Sequence, residues 1–141
     1  MNNVQIERLF RLLEWDIEPK EQKKMATGIL LSIAKGKIVF QEFLGAFAAV
    51  GLLDGEDNLT ESAQQSLQAN YSFTVLLEAE KIRAEKIHKP FTSIPEGMFT
   101  IREEYLECEK EVMRRKVNKV ALRTELIQLA QVVNKLYEFL G

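Results

Sequence analysis

The stretch LRTELIQLAQVVNKLYEFL, residues 122–140, decides how this chain folds. Leu122, Leu126, Leu129, Val133, Leu136 and Leu140 follow one another at 4-3-4-3-4 spacing. A strand would need an alternation of two, whereas a period near 3.5 is the apolar seam of a helix that packs on other helices. Neither proline nor glycine interrupts the chain from Met98 to Leu140. Ser93 with Glu96, or Thr100 with Glu103, can open this helix as a capping box, so the pattern predicts a helix of some forty residues, about 60 Å long if unbroken. Upstream, Ile101, Tyr105, Cys108 and Val112 lie on a second face, and Met113, Val117, Val120 and Ala121 on a third, turned by roughly 120°. A helix whose apolar face wanders in this way either changes packing partner along its length or breaks near Asn118.

The same segment carries the most basic run of the chain, RRKVNKVALR at residues 114–123. On a continuous helix Arg115, Lys116, Lys119 and Arg123 share an arc of about 100°. One reading is a solvated face, with Glu111 paired to Arg115 four residues on. A second is pairing of two copies about residue 112, because residues 91–112 carry a net charge of −4 and residues 113–141 a net +4. Such complementarity sets orientation and register more than it adds stability. A third is contact with phosphates, each neutralised one adding salt-dependent affinity. No aromatic residue interleaves the four cations to stack on bases, and no Asn/Gln pair is placed to read base edges, which favours the first two readings.

The N-terminal half is also helical in pattern. Ile6, Leu9, Phe10, Leu13 and Ile17 define one face of a helix over residues 3–17. Pro19 opens a second, which buries Met25, Ile29, Leu30 and Ile33 and stops at Gly36. A third, over residues 39–50, presents Phe40, Phe43, Leu44 and Phe47 and is apolar almost all round, so it is expected at the centre. After an acidic turn at 54–58, Asn58 and Glu61 are spaced as a capping box for a long helix over residues 59–88. KPFTSIPEGMF then supplies the one substantial linker, at 89–99.

These elements predict an all-α protein: a compact N-terminal three-helix bundle at 1–57, followed by two long helices in an antiparallel hairpin at 58–141, coiled-coil-like at the C-terminus. The two parts are expected to share one core.

The composition narrows the functional classes. Of 141 residues, 46% are apolar and 28% charged, which suits a folded domain, and the net charge of −2 offers no global attraction to nucleic acid or anionic membrane. The longest apolar run, FLGAFAAVGLL at 43–53, is far short of the roughly twenty residues that span a bilayer. A lone Cys108 and the absence of a signal-like MNNVQIERLF start point to a reducing, cytoplasmic setting.

Residues around Gly36 and Glu42 resemble the second half of an EF-hand. The positions that would supply the first ligands are Leu31, Ile33 and Lys35, which have no side-chain oxygen, so no calcium is expected. VGLLDGEDNLTESAQQSL, residues 50–67, resembles the wing and following helix of winged-helix DNA-binding domains. The helix that would enter the groove, FQEFLGAFAAV, carries no cation, and the would-be wing is acidic, which argues against that use. His88 and Cys108 are single, and the glycines are scattered, so no catalytic, cofactor or metal site is expected.

The expectation is a non-enzymatic adaptor or assembly subunit, acting through protein contacts as a homodimer or within a larger complex. Leu122, Leu126, Leu129, Val133, Leu136 and Leu140 would be the bundle's core or its docking edge, the protein interface of the chain. The alternative is an accessory subunit of a nucleoprotein complex that lays Arg115, Lys116, Lys119 and Arg123 along a nucleic-acid backbone.

Overall fold

A computed structural model describes residues 1–37 and 39–141. Among them the regular structure is entirely helical, with α1 at Asn3–Leu13, α2 at Pro19–Ala34, α3 at Gln41–Ala49, α4 at Glu61–Asn70, α5 at Phe73–Ile87, α6 at Ile94–Val112 and α7 at Lys119–Phe139. No helix of the described residues is long and apolar enough to cross a membrane. The chain forms two compact units, Met1–Tyr71 and Ser72–Gly141.

In the first unit α1 packs on α2 and α3, and α2 on α4. Asn2 and Gln5 close a capping box at the start of α1, and α1 ends at Leu13, before Ile17, because Glu14 takes a left-handed conformation (φ 55°). Pro19 opens α2 as expected, since its missing N–H falls where a helix needs no donor. The α2 stripe buries Ala26, Thr27 and Leu30, while Met25 turns partly to solvent. Phe47 of α3 is wholly enclosed together with Leu9, Leu30, Leu52 and Leu67. Beyond Gly51 (φ 81°), a single antiparallel bridge between Leu53 and Leu59 closes the acidic turn. Inside that turn the Asp54 carboxylate accepts from the backbone N–H of Asn58 and then of Glu56, which holds its pKa below the usual carboxylate range. Asn58 is thus committed to the turn, and Thr60 caps α4 instead, its hydroxyl accepting from Ala63 N–H at 3.3 Å.

Both long helices expected from the sequence are broken. The one over 59–88 divides at Tyr71, which is extended (φ −130°, ψ 147°), and Ser72 starts α5 by accepting from Val75 N–H. A serine can cap at little cost wherever the chain bends, and nothing in the apolar pattern marks that bend. The last helix begins at Ser93, whose hydroxyl accepts from Glu96 N–H, while the Glu96 carboxylate returns to the Thr92 N–H and hydroxyl. It stops at Val112. Residues 113–118 turn, and Asn118 opens α7 by accepting from Ala121 N–H at 3.1 Å. The wandering apolar face therefore marks a break, and an antiparallel pair of two uninterrupted long helices does not form.

In the second unit α7 packs against both α6 and α5. Gly97, in the first turn of α6, lies against Leu136 near the end of α7. A Cβ placed on Gly97 would stand 2.6 Å from Leu136 Cδ1, so the absence of a side chain sets how closely these helices approach. Phe91, Val132 and Leu136 form the small core beside them, joined by Ile101. Lys135 Nζ sits 4.2 Å from the centre of the Phe91 ring and donates to the Lys89 carbonyl at 2.8 Å, pinning the linker to α7. Lys81 and Glu138 pair at 2.9 Å between α5 and α7.

Candidate protein-contact face on α7

The seam residues are divided between two environments. Leu136 is buried and Leu122 and Leu129 are half-buried, whereas Leu126, Val133 and Leu140 are exposed at 44%, 46% and 57%. The two sets differ by alternate steps of three and four residues, which places them on edges about 50° apart on an α-helix. Packing against α6 and α5 draws in one edge, along with Gln131 and Val132, and leaves the other outside. Tyr137 joins the outer edge and is exposed at 77%. Leu126, Ala130, Val133, Tyr137 and Leu140 thus form a continuous outward stripe at 4-3-4-3 spacing. The seam is therefore not one surface: Leu136 lies in the core, Leu122 and Leu129 are half-buried, and the other three face water.

α6 repeats the division. Ile101 and Cys108 turn inward, while Met98, Tyr105 and Val112 are exposed, with Phe99, Leu106 and Met113 beside them. Cys108 is a buried thiol, its pKa pushed up first by burial and then by Glu125 and Glu104.

The basic arc dissolves with the helix that would have carried it. Arg115 and Lys116 lie in the turn, Lys119 is the first residue of α7, and Arg123 follows one turn later. All four are exposed, and Arg114 instead pairs with Glu111 at 3.1 Å. Glu125 of α7 meets carboxylates of α6, and its pKa is raised by burial first and then by Glu104, Glu107 and Glu111. Glu104 is raised in the same way by burial, then by Glu107, Glu80 and Glu103, with Arg83 opposing. Among the described residues no group of His, Cys, Asp and Glu is arranged to hold a metal ion.

Gln131 is a feature the seam concealed. Only 6% exposed, it lines two clefts of about 490 Å³ and 410 Å³ that also share Ala84, His88, Phe91 and Lys135. It lies among the residues that line both clefts, beside the packed face of α7. A glutamine between leucines reads as a solvated position in sequence, so only the packing reveals it.

No family model, curated protein or solved structure matches this chain.

Proposed function

We propose that this chain is a non-enzymatic helical assembly subunit whose second unit associates with another copy of itself through the outer edge of α7. One observation carries the reading: Leu126, Val133, Tyr137 and Leu140 stand in line, all apolar or aromatic and all in water. An unbroken apolar stripe of this kind is costly for a solitary molecule and is covered when two such helices pack together. The outer residues of α6 widen the apolar surface available. In this reading α6 and α7 act as an antiparallel, coiled-coil-like pair, and the first unit is a helical bundle that accompanies them.

Solution mass measured by light scattering over a range of concentrations tests the proposal. A dimer at micromolar concentration that becomes a monomer in Leu126→Ser/Tyr137→Ser, with helicity unchanged, supports it. A wild-type chain that stays monomeric at hundreds of micromolar sinks it.

A second reading rests on the four cations, which are exposed from the turn before α7 into its first two turns and make no ion pair among the described residues. There the chain would contact a nucleic-acid backbone. Binding of a labelled oligonucleotide would weaken with salt, and Lys119→Gln/Arg123→Gln would flatten the log-log slope by about two. Absence of binding at low salt removes this reading.

A further inference from the structure

We infer that an aromatic corner of the first unit is a recognition site for an alkylated ammonium group. Trp15, Phe40 and Phe43 line a hollow of about 390 Å³ between the end of α1 and the start of α3. The Trp15 and Phe43 rings stand 5.0 Å apart at 86°, and the Phe40 and Phe43 rings 5.6 Å apart at 88°. Aromatic planes at right angles form walls, and a cation attracted by a ring face binds within about 6 Å of its centre. In the corner of a right-angled pair whose centres are 5.0 or 5.6 Å apart, a small cation lies within that distance of both rings, and Phe43 is common to the two corners.

The walls are firmly mounted. Glu14 turns the chain in its left-handed conformation, Trp15 N–H donates to the Phe10 carbonyl at 3.2 Å, and buried Phe10 supports the indole from behind at 6.3 Å. The Phe40 carbonyl accepts from Phe43 N–H at 3.0 Å and Leu44 N–H at 3.2 Å, tying that ring to the first turn of α3. Yet Phe40 is 70% exposed, which is unusual for a phenylalanine held this tightly.

Charge selects the ligand. Glu14 and Glu42 also line the hollow and no cation does; neither glutamate has an ion pair among the described residues. The corner is therefore negative at its rim and rich in π faces within. The rings offer no acceptor to replace the water around a bare ammonium, which is strongly hydrated. A methylated ammonium keeps the charge and sheds most of that hydration. Choline-like small molecules and methylated lysine side chains both present this group.

Trp15 is the only tryptophan in the chain, so its emission reports on the site directly. The full chain is titrated with choline, with the neutral isostere 3,3-dimethyl-1-butanol, and with one short peptide carrying either trimethyllysine or lysine. Saturable change with choline is expected, with the isostere weaker by about tenfold or more. Phe40→Ala should abolish the response without moving the melting temperature, since that ring lies outside the core. Glu14→Gln/Glu42→Gln should weaken binding about threefold and reduce its salt dependence, a readout that stands even if Phe40→Ala misfolds. Trimethyllysine peptide binding about tenfold tighter than choline identifies a methylated protein as the source; equal affinities identify a small molecule. Isostere binding as well as choline, no saturation with any cation, or both variants binding like the wild type would overturn the inference.

Discussion

Residues 1–71 and 72–141 are two units of nearly equal length that treat their apolar side chains in opposite ways. The five largest fully enclosed side chains, Phe47, Leu9, Leu30, Leu52 and Leu67, all belong to the first. In the second the best-buried large residues, Leu76, Phe91, Val132 and Leu136, keep a few per cent of their surface, and most of the exposed large apolar residues of the chain are found there. Short helices joined by turns can wrap a centre on several sides. α7 has partners on two sides and presents the third to solvent. The first unit is built to close a core, and the second to leave a face over.

Because Trp15 lies in the first unit, its fluorescence follows that unit, while far-ultraviolet dichroism follows both. If the contrast is right, Phe47→Ala lowers first-unit stability by about 3–5 kcal/mol, whereas Leu136→Ala costs nearer 2–3 kcal/mol and is seen by dichroism first. Identical fluorescence and dichroism transitions in both variants would show that the units melt as one and would break the comparison. Gly97→Ala comes next in size. Its methyl meets Leu136, so a loss of about 1–3 kcal/mol is expected, largely recovered when Leu136→Val makes room.

Gln131→Leu probes the second unit in the other direction. Replacing a nearly buried carboxamide by an apolar side chain of similar size should raise its stability by about 1 kcal/mol, measured by urea denaturation; a loss would mean that the carboxamide is hydrogen-bonded within the clefts.

The smallest effect concerns acidity. Glu104 and Glu125 have raised pKa values in the folded state, so their contribution is fully present below the ordinary glutamate pKa of about 4.3 and is lost as pH rises through the raised values. Asp54, Glu96 and Glu138 are lowered and act oppositely, losing their contribution as pH falls through their lowered values. Glu104→Gln/Glu125→Gln should therefore raise the second unit's melting temperature at neutral pH more than at pH 4. The gain is under about 1 kcal/mol because both groups are only half-buried. Equal gains at both pH values would remove the carboxylate crowding from the account.

Much of the helical content was legible because it rests on local rules. Pro19 at the start of α2, Gly36 and Gly51 past helix ends and the Ser93–Glu96 cap act within a few residues of chain, where sequence and structure are nearly the same information. Ser72 and Asn118 obey the same capping chemistry, but each could equally sit inside a helix, and only the competition among packing partners turns it into a start. The change of apolar face near Asn118 did signal that one helix could not satisfy all its partners. It could not say that the chain would fold back and dismantle the basic arc.

The candidate interface shows the same boundary. The 4-3 seam made α7 a packing helix whatever its surroundings, since apolar periodicity belongs to one helix alone. Which edge of that seam is core and which faces water depends on where α5 and α6 touch α7, and on Gly97 letting Leu136 in. The aromatic corner lies further still from what a linear reading discloses. Trp15 and Phe40 are separated by a whole helix, and their meeting around Phe43 is a property of the assembled first unit. By itself the sequence determined that the chain is helical and where its apolar periodicity runs, because hydrogen bonding and side-chain spacing act locally. Only the tertiary structure decided which apolar residues are spent on the core and which remain exposed, because burial is a competition among all surfaces at once.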